Sequence, residues 1–407
     1  MIRLTGAAAA FLSLLPALPI CVLSQQVDLG GGVVTRTDVQ MYADLALDIR
    51  DIRASQDQDE ILRLYLDGRN AEETTGVFFP LKKIGDKLND ETESMTPNYL
   101  FHLYGLAGLS TGDYKNSQHY SDRFIRSTIT SNTELTADAI VALDMWMYAS
   151  HLLYKGVSLC SRRADADNPG QLEGLGGAGM DEFIALWIGA GQTPASAEGH
   201  SLYGWAQEAG TLFGTANPEA KVNEDLKLLY QQGAEVLSLP HVCTKEGDTT
   251  GVDQLWAVAQ LMISKMHAPQ IQMLIHSLIT ENEQSAALYA ISTIPQVAQC
   301  RPSVFKRLNE ALLAGSINFS QKQTIFLDIE LAMDCFGLTC LDIGNYHDGS
   351  YQCNADSASD TRALAGFKPS TKVNDVRKIL QDERAGVRVD RMLSVLLIRL
   401  LLCLLHV

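Results

Sequence analysis

The chain has 407 residues, 46% of them hydrophobic and 20% charged. That apolar share is enough for a sizeable core and excludes a disordered chain. With 32 Lys and Arg against 48 Asp and Glu, the formal net charge is -16 at pH 7. Such a surface repels phosphate backbones, which excludes nucleic acid as a partner, and suits an exported protein or one that attracts cations.

Residues 1–24 read as an export leader. Arg3 supplies the positive start, Ala7 to Leu18 the short apolar run, and Val22-Leu23-Ser24 the small-residue cleavage site before Gln25. Residues 25–353 read as helix after helix, an all-α exported domain. The loop-like stretch Ser161 to Gly179 divides it into two helical lobes, 25–160 and 180–353. Apolar residues recur at helical spacing over Asp38 to Ile52, Ala137 to Val157 and Lys221 to Leu239. Asn217-Pro218 is expected to start the last of these, as N-cap and first helical residue. Val252 to His267 and Pro269 to Thr280 are expected as two helices separated at Ala268-Pro269. Thr293-Ile294-Pro295 and Arg301-Pro302 punctuate the next segments, and Gln321 to Phe336 closes the series. Strand patterning is nearly absent, and Gly32-Val33-Val34-Thr35 is its best instance.

Six cysteines fall in the domain: Cys160, Cys243, Cys300, Cys335, Cys340 and Cys353. In an exported chain they read as up to three disulfides, with the pairing left open. Asn318-Phe319-Ser320 is an N-glycosylation sequon. Residues 354–391 read as a stalk and 392–407 as an almost wholly apolar tail. At 1.5 Å per residue the tail reaches roughly 24 Å, short of a ~30 Å hydrocarbon core. Arg399 also sits in its middle. The tail is either a signal exchanged for a GPI anchor or a short membrane segment, and both tether the chain to the cell surface.

Few motifs carry chemistry. Gly174 to Gly179 spells G-x-G-x-x-G, but no strand delivers the chain to it, so it reads as a flexible loop. Asp44, Asp48 and Asp51 share a helix face and read as a solvated row, as do Asp328, Glu330 and Asp334. Asp181-Glu182 lies in a helix that is apolar nearly all round. The pair is either the first-turn acids of that helix or buried carboxylates that need partners. Asp144, Tyr148 and His151 share one face of the long helix, and Tyr120 and Asp122 precede it. Phenolate and carboxylate oxygens are hard ligands, and with a synergistic anion they suit ferric iron.

In their order, these pieces resemble the low-iron-inducible periplasmic protein family of algae. That family includes the iron-assimilation and high-CO2-induced periplasmic proteins and the diatom phytotransferrins. The resemblance runs through Ile61 to Asn70, Tyr104-Gly105, Tyr120 to Phe124, and Ala142 to Tyr148 ahead of Cys160. It continues with Met180-Asp181-Glu182, Tyr203, and the segment from Lys221-Val222-Asn223 to Gln232-Gly233. Cys335 to Gly344 and Cys353 close it, so that it spans about residues 40–353. The chain departs from the family at Met180, where a Trp or His is usual, and at Ser285-Ala286-Ala287, which lacks a Glu.

The resemblance implies a cell-surface or periplasmic iron-assimilation protein, a binder rather than an enzyme, that takes ferric iron with a carbonate-like anion. Asp181, Glu182 and Tyr203 are the expected ligands, with Tyr120, Asp122 and Tyr148 as further candidates. Helix neighbours point ~100° apart, so one of Asp181 and Glu182 should ligate while the other orients a group behind it. Acid should release the metal. A surface reductase or an endocytic receptor would be the protein partner, although no motif marks one. The alternatives are an extracellular structural or adhesion protein with this fold and no metal, and a secreted hydrolase whose residues meet only in space.

Overall fold

The computed structural model describes residues 26–86, 120–165, 175–191, 200–239, 242–243 and 250–354. The leader, the tail, Tyr104-Gly105 and all of the stalk but Asn354 lie outside the described residues. Helix dominates what is described, and the all-α expectation holds. The strand signal at Val33-Val34 is real but minimal: β1 (Asp28–Gly30) and β2 (Val33–Val34) form one antiparallel ladder. Between them the glycine turn uses positive φ at Gly31 and Gly32, which L side chains rarely adopt.

α1 (Gln40–Ala54) and α2 (Gln58–Asp67) come next. Asp57 caps α2, its side chain accepting from the backbone N–H groups of Asp59 and Glu60. A second small ladder, β3 (Glu72–Thr74) with β4 (Val77–Phe78), leads into a helical stretch at 81–86. α3 (Tyr120–Ser131) and α4 (Thr133–Ala139) follow. The segment expected as one helix over 137–157 is broken by a π-helical turn, Ile140–Met145, before α5 (Trp146–Asp165). All six residues of that turn are buried. A π turn carries an extra residue per turn, which a 3.6-residue period does not reveal.

The glycine run is no loop. Leu175 to Gly179 form the first turns of α6 (Leu175–Ile188). A Cβ on Gly179 would lie 2.7 Å from both the Gly156 Cα and the Leu152 carbonyl oxygen of α5. Glycine at 156 and 179 lets the two helix backbones touch. The crossing joins the segments expected as separate lobes, and a single apolar core runs from Leu29 to Tyr351 through both.

α7 (Leu202–Leu212) and α8 (Lys221–Ser238) follow. Asn217-Pro218 does not start α8. It is a cis pair inside a turn bridged from Ala216 to Ala220, and Ala220 is the residue before the helix. Nor does Pro269 interrupt the helix that holds it: α9 (Thr250–Ile279) runs straight through. Proline removes one helical N–H, but Met266, Ala268, Ile271, Leu274 and Ile275 are all buried around it and hold both sides. α9 packs on α5, α7, α8 and α10 (Glu283–Thr293) and so forms the centre of the fold.

The remainder is short helices: α11 (Val297–Cys300), α12 (Pro302–Leu312), α13 (Lys322–Ala332) and α14 (Cys340–Ile343), with 3-10 turns between. Proline takes the first position of α12. The six cysteines pair as Cys160–Cys243, Cys300–Cys335 and Cys340–Cys353. Among the described residues, no helix is long and apolar enough to cross a membrane.

Candidate functional site

Met180, Phe183, Ile184 and Trp187 bury one stripe of α6 and carry Asp181 inside with them, at 2% exposure. Asp181 is six residues into the helix, so it is no first-turn acid. Its Oδ2 accepts from the Arg36 N–H at 2.8 Å, the Thr37 N–H at 2.9 Å and the Thr37 hydroxyl at 3.0 Å. Its Oδ1 accepts from the Tyr230 hydroxyl at 2.6 Å. The carboxylate thus ties the β2–α1 connection and α8 to α6. Burial, together with the Asp181 charge, pushes the Tyr230 phenol above its usual range.

Glu182 points elsewhere, as adjacent helical residues must, and faces Lys155 at 3.9 Å. Tyr203 donates to Glu219 Oε1 at 2.6 Å, and Glu219 Oε2 accepts from Lys227 at 2.6 Å. Burial and the Glu219 carboxylate raise the Tyr203 phenol, which keeps its proton. The expected ligands Asp181, Glu182 and Tyr203 therefore serve three separate partner sets. The structure does not bring the three together at one point.

The further candidates divide. Tyr120 begins α3, and its side chain lies outside the described residues. Tyr148 is fully buried, its ring stacked 6.3 Å from Tyr42 and 5.8 Å from His151. Asp122 accepts from the Tyr65 hydroxyl at 3.2 Å and from Arg126 Nε at 3.0 Å.

Asp122 leads to the most unusual group among the described residues, Asp144. This residue sits in the π turn with no exposure, and among the described residues neither carboxylate oxygen has a hydrogen-bond partner. The oxygens lie against Gly85, where a Cβ would come within 3.2 Å of Oδ1 and 3.3 Å of Oδ2. Ser121 and Tyr65 are close by but lack hydrogen-bond alignment, and the Tyr65 hydroxyl donates to Asp122 instead. Burial drives the Asp144 carboxyl up to about 7. The Ser121 hydroxyl opposes the rise, while the charges of Asp122 and Asp86 add to it. Burial also raises the Tyr65 phenol, helped by Asp144 and Asp122. Asp86 pairs with Lys82 at 2.5 Å and Asp122 with Arg126, each partly open to solvent.

Leaving buried polar atoms unpaired costs about 1–3 kcal/mol each and more for a charge, so such groups concentrate where a ligand completes them. The oxygens around Asp144 are all hard donors: three carboxylates and a phenol. They do not meet at one point: Arg126 pairs with Asp122 and Lys82 with Asp86.

The acidic rows on α1 and α13 have partners for most of their oxygens, Asp48 Oδ2 excepted among the described residues. Asp48 Oδ1 accepts from the N–H groups of Arg69 and Asn70 and from the Asn70 amide, so the row on α1 clamps a loop rather than facing water. Asp328 is gripped by Arg307 and Asp334 by Arg301, and Glu330 accepts from the Asn354 N–H at 3.3 Å. Among the described residues, Cys300, Asp334 and Cys335 bring three ligand-type atoms within 4.8 Å of one another. Their sulfurs are joined in a disulfide and their carboxylate is taken by Arg301, so they are no metal centre. His267 is buried between Trp146 and Phe336, and burial lowers it to about 3, which keeps it neutral.

Sequence reasoning placed Asp144 on a face with Tyr148 and His151 but did not choose it, and it missed Tyr65 and Asp86 altogether. One signal was available: Asp144 is the lone charge in the apolar run Ile140 to Met147. Comparison with known proteins identifies no relative, since no family model, no curated protein and no solved structure matches the chain.

Proposed function

We propose that this chain is an exported binder of ferric iron whose site is the Asp144 cluster. The observation that carries the proposal is Asp144 itself, a fully buried carboxylate with both oxygens unpartnered among the described residues, amid Asp122, Asp86 and Tyr65. Carboxylates and a phenol form the hard oxygen set that a trivalent cation prefers. Arg126, beside Asp122 and half-exposed, supplies the positive donor that a carbonate-like anion needs next to the metal. Three disulfides support an oxidising compartment, in line with the leader read at residues 1–24. The apolar tail at 392–407 would hold the protein at the cell surface, where a reductase or an endocytic receptor would collect the iron.

The test is titration of the purified ectodomain with ferric nitrilotriacetate, with and without bicarbonate. Bound iron is measured directly, and the visible band of a phenolate–iron bond is followed in parallel. Wild type should take up one ion in a bicarbonate-dependent way. Asp144→Asn should abolish uptake, and Tyr65→Phe should remove the visible band. Undiminished uptake by Asp144→Asn would overturn the site. Absence of uptake by wild type would favour the second reading, a surface structural protein of the same fold, which the fully satisfied network at Asp181 also suits.

A further inference from the structure

Asn318 and Ser320 stand exposed on the surface between α12 and α13, remote in sequence from the Asp144 cluster. Ile317 is buried and anchors the segment, its N–H donating to Glu283 at 3.2 Å. The chain then turns outward. The Asn318 Oδ1 accepts from the Ser320 N–H at 3.1 Å and from the Ser320 hydroxyl at 2.7 Å. Donation to Oδ1 draws electron density toward oxygen and makes the amide N–H more readily lost. Among the described residues the Asn318 amide nitrogen makes no hydrogen bond, and the side chain carries it into solvent. Phe319 packs inward between them, so the two polar groups share the outer side.

We infer that Asn318 carries an N-linked glycan, which rests on the export reading above. An asparagine amide with a hydroxyl two residues on is the acceptor pattern for this modification. Many such tripeptides lie in buried or regular structure where a bulky glycan has no room. Here Asn318 caps the short 3-10 turn Phe319–Gln321 with its oxygen, the residue is exposed, and Gly315 nearby has open space where a side chain would be. In the transfer, Asn318 Nδ2 attacks the anomeric carbon of an oligosaccharide carried on a lipid diphosphate. The new N–C bond forms as the C–O bond to phosphate breaks, the electron pair leaves with the lipid diphosphate, and the amide gives one proton to a base of the transferring enzyme.

The experiment expresses the full chain with its leader in a eukaryotic secreting host. Intact mass is read before and after peptide N-glycosidase, and free thiols are counted. Secreted wild type should lose glycan mass on digestion, with Asn318 converted to aspartate. Asn318→Gln and Ser320→Ala should be secreted without the glycan, and Ser320→Thr should keep it. A secreted, disulfide-bonded wild type of unmodified mass overturns this inference alone. A chain retained in the cytosol with free thiols overturns it together with the export reading.

Discussion

Asp181 and Asp144 are both buried carboxylates on neighbouring helices, and their surroundings could hardly differ more. Asp181 accepts from four donors supplied by Arg36, Thr37 and Tyr230, which are far from it in sequence. Asp144 has only the Ser121 and Tyr65 hydroxyls near its carboxyl, neither in full hydrogen-bond geometry, and two other carboxylates nearby. The difference separates two uses of a buried charge. Asp181 is a fastener whose hydrogen bonds offset its loss of hydration, while the desolvation of Asp144 is opposed only in part, by the nearby Ser121 and Tyr65 hydroxyls. A buried carboxyl of the second kind is tolerated by keeping its proton or by gaining a partner.

Removing the fastener should give the largest effect. Asp181→Ala leaves two backbone N–H groups, the Thr37 hydroxyl and the Tyr230 phenol without their acceptor, and should cost about 3 kcal/mol or more. Thermal and urea melts followed by circular dichroism check this, and a loss under about 1 kcal/mol would erase the contrast with Asp144.

Asp144→Asn should act in the opposite direction and only at high pH. The folded value near 7 lies above the ordinary 3.8. The folded state therefore holds a proton that the unfolded state releases, and the associated stability is full below about pH 4 and lost as pH rises through about 7. The shift corresponds to roughly 4 kcal/mol, which relaxation and water entry should reduce to about 2. Asparagine should be neutral at pH 4 and stabilising at pH 8. A variant destabilised equally at both values would show that Asp144 is a fastener too.

The close crossing of α5 and α6 can be stressed directly. Gly179→Ala forces a Cβ against backbone atoms of Gly156 and Leu152 that cannot rotate away, and should cost about 1–2 kcal/mol. An unchanged melting temperature would mean that the helices separate freely. The smallest effect should come from Arg126→Ala at the rim of the cluster. Its pair with Asp122 is half-exposed and should contribute only about 0.5 kcal/mol, fading in high salt. A loss that persists in molar salt would place Arg126 inside the cluster rather than at its edge.

Much of the architecture was legible from residue patterns, and the exceptions share a cause. Apolar spacing marked α1, α8 and α13 to within a few residues because each buries one face, and that face is written at a 3.6-residue period. Arg301-Pro302 was read as a segment boundary, and Pro302 stands at the first position of α12, where no N–H is needed. Proline at 269 was misread for the complementary reason: local chemistry argues for a break, but burial along α9 overrides it. The Gly174 to Gly179 run was misread in the same way. Glycine is a poor helix former in isolation, yet here its missing side chain is what lets α5 and α6 touch.

The candidate site was less legible than the fold. Residue types alone favoured oxygen ligands, and Asp122 was among the further candidates, but Asp181, Glu182 and Tyr203 were the leading ones. Which carboxylate is satisfied depends on donors brought from elsewhere in the chain: Arg36 and Thr37 lie about 145 positions from Asp181. By itself the sequence determined the helical class and the even cysteine set, because periodicity and composition act locally and survive any arrangement of the helices. Only the tertiary structure decided the disulfide pairing, the continuity of one apolar core through both expected lobes, and which buried aspartate gained a full set of donors among the described residues. Each of those depends on distances between residues remote in the chain, and no local pattern records them.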